Sequence, residues 1–105
     1  MKKLIRDKIP AIMINNNKKP HTEILTNDDE YLTALNNKLI EETNEYIESS
    51  LTNSDMHTQE ELADILEVID TICKLKKYSM SNIIRYKLHK KQKRGGFDQR
   101  ILLKI

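Results

Sequence analysis

The sequence predicts an all-α (mainly α) fold, a helical bundle that completes its core by oligomerisation. Apolar residues recur at helical spacing in two long stretches, residues 32–47 and 65–72. Clear breaks separate the helical stretches, LTNSD at residues 51–55 and Gly95-Gly96 further on. Composition adds a third indication. Hydrophobic residues make up 38% and charged residues 32%, with no Trp and one Phe. That is lean for a self-sufficient globule, and it suits long amphipathic helices that finish their core against a second copy, so a homodimer or homotetramer is expected. A chain of 105 residues has too little core to divide, so residues 1–105 are expected to form a single domain.

The first element expected is a short helix from Asp7 to about Asn16, since Pro10 is tolerated in a first turn. NNNKKP breaks it. HTEIL, residues 21–25, reads as a short extended stretch. Thr26-Asn27-Asp28-Asp29 has the form of a capping box and opens the first long helix. Leu32, Leu35, Leu39, Ile40, Tyr46 and Ile47 keep its spacing to about Ser50. A second long helix is expected from about Thr58 to Lys77. Ser81 is a plausible cap for a third, which carries Met80, Ile83, Ile84 and Leu88 and stops at the two glycines. The aliphatic tail FDQRILLKI is a candidate strand, so a small two-stranded β patch is expected from residues 21–25 and 98–104.

Several classes are disfavoured at once. One cysteine, Cys73, rules out an internal disulfide, favours a reducing compartment, and sits on the apolar side of its helix. The basic start MKKLIRDKIP lacks the apolar stretch of a secretory signal. No run approaches the roughly 18 apolar residues of a membrane span. A soluble, cytoplasmic protein is expected.

The net charge of +2 conceals a segregation. Every acid except Asp7 and Asp98 lies between Glu23 and Asp70, where Lys38 is the only Lys or Arg. The cations gather in MKKLIRDK, NNNKKP and RYKLHKKQKR. An acidic centre between basic ends could hold a cation and a polyanion side by side; plain intramolecular attraction explains it equally well.

The acids themselves are placed unusually. At about 100° per residue, Ile65, Val68, Ile69 and Ile72 form one stripe, and Glu61 falls inside it with Asp64 on its edge. On the preceding helix Glu42 falls on the edge of the stripe with Glu45 beside it, while Glu41 and Glu48 point away. A short connection favours antiparallel packing, which lets four carboxylates converge. Unpaired, they would repel and desolvate one another, and a divalent cation removes that cost. Oxygen-only ligands select hard ions, Mg²⁺ first and Mn²⁺ second. Di-iron bundles need Glu-x-x-His pairs, which His21, His57 and His89 do not supply. Two plainer readings stand beside this one: Thr58-x-x-Glu61 as a capping box, and Glu41, Glu42 and Glu45 as a solvated helix face. Neither explains Asp64.

The last helix repeats the anomaly with opposite sign. Ile83, Lys87, Lys90 and Arg94 share one sector, so its apolar face turns basic. Cations complement a helix C-terminus, a basic run suits nucleic acid, and Lys and Arg grip phosphates. The acidic pattern favours the phosphate reading and makes nucleic acid the lesser one. The histidines have no ligand spacing. Tyr31, Tyr46, Tyr78 and Tyr86 read first as packing residues, and no phosphate-binding loop is present.

Glu41-Glu42-x-x-Glu45 followed by Glu61-x-x-Asp64 resembles the EExxE…ExxD signature of the all-α, MazG-like nucleoside triphosphate pyrophosphohydrolases. LIRDKIP, KKPHTEIL and RGGF with its aliphatic tail resemble one branch of that superfamily, the phosphoribosyl-ATP pyrophosphohydrolase-like branch. The resemblance covers nearly the whole chain. It implies a Mg²⁺-dependent hydrolase, with Mn²⁺ as the alternative ion, in which an activated water attacks the α-phosphorus of a nucleoside triphosphate and yields monophosphate and diphosphate. Carried over, Glu42, Glu45, Glu61 and Asp64 are the metal ligands, and Glu41 is an accessory acid that orients water. Lys87, Lys90 and Arg94 become phosphate contacts, joined by Arg6 and Lys8. With neither a second acidic motif nor a fused biosynthetic domain, nucleotide-pool house-cleaning fits at least as well as phosphoribosyl-ATP. The rival readings are a catalytically silent helical oligomer acting as nucleotide sensor or interaction module, and a nucleic-acid binder.

Overall fold

In a computed structural model, which describes residues 2–52 and 54–104, the chain forms four helices. They are α1 (Ile9–Asn15), α2 (Asp28–Ser50), α3 (Asp55–Lys76) and α4 (Met80–Arg94). Met1, Asn53 and Ile105, which belong to the expected basic start, connection and tail, lie outside the described residues.

The helix boundaries follow local chemistry. Asn27 caps α2: its side-chain oxygen accepts the Glu30 backbone N–H at 3.0 Å, and Asp28, Asp29 and Glu30 fill the first turn. The cap is therefore one residue later than the expected Thr26. α3 begins at Asp55, so Thr58 lies inside the helix rather than at its start. The Thr58 hydroxyl donates to the Ser54 carbonyl at 3.0 Å and lies 2.7 Å from the Ser49 hydroxyl. Its one proton being committed, Ser49 is the donor to Thr58. The capping-box account of Glu61 is thereby removed. At the start of α4 the cap is Ser79, not Ser81; its oxygen accepts from the Asn82 N–H at 3.4 Å. α3 ends on Lys77 in the left-handed region, and Gly95 at φ 82° ends α4.

α2 and α3 form the one extensive helix–helix contact among the described residues. They run antiparallel: Ser49 meets Thr58, and Leu32 near the start of α2 borders Leu75 and Lys77 at the end of α3. Leu35, Val68 and Cys73 are buried between them, with Leu32, Leu39, Ile65, Ile69 and Ile72 half-buried. Cys73 is a core residue, as its place on the apolar side implied.

The expected β patch is absent among the described residues, where neither 21–25 nor 98–104 contains strand. Ile24, Ile101, Leu102 and Leu103 are all exposed, and Arg100, at φ 58°, follows a turn that breaks the tail. An isolated two-stranded ribbon with no third layer is marginal in water. No described helix is long and apolar enough to cross a membrane.

The chain is open. Its radius of gyration is 17.4 Å, against about 13 Å for a compact chain of this length. No residue of α1 or α4 is buried, and Ile40, Ile47, Leu62, Leu66, Ile84 and Leu88 are exposed.

Candidate metal centre

The antiparallel register brings the acidic motifs together. Glu42 from α2 and Glu61 and Asp64 from α3 each place an oxygen within 4.8 Å of the others. Glu41, Glu42 and Glu45 form a second, overlapping group under the same limit. Of the two central carboxylates, Glu42 is 5% and Glu61 6% exposed, where a core residue would normally sit. One oxygen of each, Glu42 Oε2 and Glu61 Oε2, is buried without a hydrogen-bond partner. Asp64 is half-buried and Glu45 exposed at the rim. Glu41, expected to point away, is half-buried instead, because Lys38 and Lys3 draw its carboxylate in.

The electrostatics match that crowding. Burial, followed by hydrogen bonding with Glu45 and Glu42 and repulsion from both, pushes the Glu61 carboxyl from 4.5 up to about 7. A proton on Glu61 would let it donate to one of these carboxylates; ionised, it leaves the buried Glu42 and Glu61 oxygens both as acceptors with no donor.

Three cations partly offset the charge. Lys38 Nζ lies 3.4 Å from Glu41 and 3.2 Å from Glu42. Burial disfavours its ammonium, but these two carboxylates outweigh it and the Lys38 pKa is raised. Lys3 lies 3.6 Å from Glu41, and Arg6 reaches Asp64 at 2.6 Å. His57 Nε2 lies 3.3 Å from Glu61 Oε1, one turn earlier on α3.

Of the expected phosphate contacts, only Arg6 meets the cluster. Lys8 is exposed and makes no ion pair among the described residues. The same holds for Lys87, Lys90 and Arg94, on a helix that does not pack extensively on the α2–α3 pair. Sequence reasoning missed Lys38, Lys3 and His57 as neighbours of the site. For Lys38 a signal existed: it is the lone cation of the acidic segment, three and four residues before Glu41 and Glu42.

The residue set fits a hard divalent cation. Every donor is a carboxylate oxygen, two of them are orphaned and buried, and the donors come from both helices. Fold and site together define an all-α protein with an acidic centre held between two antiparallel helices. The model of the MazG nucleotide pyrophosphohydrolase domain matches residues 30–96, a span that includes all five acids. The chain belongs to the MazG nucleotide pyrophosphohydrolase family. Among curated proteins and solved structures, none matches it.

Proposed function

We propose that the protein is a Mg²⁺-dependent nucleoside triphosphate pyrophosphohydrolase that releases monophosphate and diphosphate. The observation that carries this reading is the pair of buried, orphaned oxygens on Glu42 and Glu61, two members of one all-carboxylate cluster. Glu42, Glu45, Glu61 and Asp64 would hold the ion, with Mn²⁺ as a substitute. A divalent cation bound there supplies Lewis acidity, lowering the pKa of a water and offsetting charge on the phosphates.

The chain's own groups do the rest. Glu41 stands beside the ligands with Lys38 3.4 Å away, placed to accept a hydrogen bond from water and orient it. Arg6, already at the cluster, suits a bidentate grip on a phosphate. No covalent nucleophile is needed, since the attacking oxygen comes from water. Lys8, Lys87, Lys90 and Arg94 stand clear of the cluster in one protomer. Their role as phosphate contacts therefore belongs to an assembled homodimer or homotetramer, in which a second copy brings them near. The exposed apolar residues of α2, α3 and α4 support such an assembly. Nucleotide-pool house-cleaning is the favoured task, with ordinary or damaged nucleotides as substrates.

The test is diphosphate release from a panel of nucleoside triphosphates and phosphoribosyl-ATP, with Mg²⁺ and with EDTA. Turnover of a member that EDTA abolishes, and that Glu61→Gln lowers by at least about 100-fold with the fold intact, is the expected result. Silence across the whole panel, with Mg²⁺ binding intact, would overturn the enzyme reading in favour of a nucleotide sensor.

A further inference from the structure

The segment before α1 lies across the acidic centre. Residues 2–8 have no regular structure until the turn that leads into α1, and they are tied down at three points. Lys2 pairs with Glu23 at 2.8 Å, Lys3 with Glu41 on α2 at 3.6 Å, and Arg6 with Asp64 on α3 at 2.6 Å. Three residues of spacing thus let one strap touch both helices of the site. Apolar anchoring is thin: Leu4 and Ile5 are half-buried, and α1 buries nothing fully. The Arg6 and Asp64 side chains are 57% and 36% exposed, so water competes for this pair and it is weak enough to exchange.

Asp64 therefore faces two claims on its carboxylate. Arg6 occupies Oδ1 at hydrogen-bond distance, while the same side chain stands within 4.8 Å of the orphaned Glu42 and Glu61 groups. A guanidinium and a hard cation cannot both take the same lone pairs. Glu41 and Glu42 already have Lys38, and Glu61 has His57 beside it; Glu45 pairs with no cation among the described residues, yet it is Asp64 that Arg6 meets.

We infer that Arg6 is an exchangeable counter-ion: it caps Asp64 in the metal-free protein, yields that carboxylate to the entering divalent cation, and is thereby freed to bind the polyphosphate. The inference deepens the pyrophosphohydrolase reading and rests on it. It assigns one residue two opposed effects, a brake on cation binding and an aid to phosphate binding. The strap thus couples the two ligands: the cation releases the group that the anion needs.

The experiment measures Mn²⁺ binding to the metal-free full chain by calorimetry, then inorganic tripolyphosphate binding in saturating Mg²⁺. Wild type is compared with Arg6→Gln and Arg6→Lys, each checked for helicity by circular dichroism. Loss of an exposed ion pair at Asp64 should tighten Mn²⁺ binding of Arg6→Gln by about two- to fivefold. Loss of a charged hydrogen-bond donor should weaken tripolyphosphate binding of the same variant by about tenfold or more. Arg6→Lys, keeping the charge without the fork, should fall between on tripolyphosphate. Effects of the same sign on both ligands, or none on Mn²⁺, would overturn the inference while leaving turnover of nucleotides by wild type untouched. A wild-type chain that binds no Mn²⁺ overturns the inference together with the functional reading on which it rests. Should Arg6→Gln lose helicity, Arg6→Lys decides alone: unchanged tripolyphosphate affinity counts against the exchange.

Discussion

Burial beside Glu45 and Glu42 pushes the Glu61 carboxyl in the fold from 4.5 up to about 7, and this sets the sign of the pH dependence. Between those values the folded chain holds a proton that the unfolded chain has lost. Stability of the metal-free protein therefore falls as pH rises through this window; the contribution is complete below about 4.5 and gone above about 7. A cation bound by the ionised carboxylates reverses the penalty. The Mg²⁺-induced rise in Tm should be larger at pH 8 than at pH 6, and equal rises at both would contradict the assignment. Glu61→Gln offers an amide donor to the Glu42 oxygen without a proton to lose. At pH 8 it should stabilise the metal-free protein by about 1–3 kcal/mol and erase the response to Mg²⁺, both read by thermal melts. The anomaly of Glu61 was legible in the sequence because a period of 3.6 places a side chain without knowing its neighbours. Lys3 and Arg6 as counter-ions were not, since the path of an irregular segment is set by tertiary contacts that no period encodes.

Among the elements, the α2–α3 hairpin carries the acidic cluster, and its stability rests on few residues. Leu35 is only 1% exposed, so Leu35→Ala should cost about 2–5 kcal/mol in denaturant unfolding. Asn27→Ala removes the cap of α2 and should cost about 1 kcal/mol by the same measurement. All four helices were legible from spacing and stop signals, and the carboxylate pairing followed from an antiparallel hairpin. The caps were displaced because several cap-forming residues stand in a row: Thr26 beside Asn27, Ser79 near Ser81, Ser54 ahead of Thr58. Backbone geometry, rather than residue type, chooses among them. The β patch failed for a different reason. Aliphatic residues in the tail were read as strand, whereas among the described residues Ile24, Ile101, Leu102 and Leu103 stay exposed.

At the scale of the whole molecule, surface is the governing quantity. The chain exposes 9896 Å², while a compact monomer of 12.4 kDa exposes roughly 6,100 Å². The excess, roughly 3,800 Å² per chain, is more than the roughly 1,000–2,500 Å² that a permanent interface removes from each partner. Association should therefore make Tm rise with protein concentration, and Leu66→Lys, on the exposed side of α3, should lower the mass seen by light scattering. An unchanged mass would place the interface elsewhere.

The isolation of α4 has a kinetic corollary. Its backbone is helical, yet few contacts hold it against local opening, whereas α2 and α3 shield each other. In dilute solution the amides of α4 should take up deuterium far sooner than those around Leu35 and Val68. Raising the concentration should slow exchange along α4 and leave the hairpin core unchanged, so that this basic helix acquires its rigidity from company rather than from its own chain.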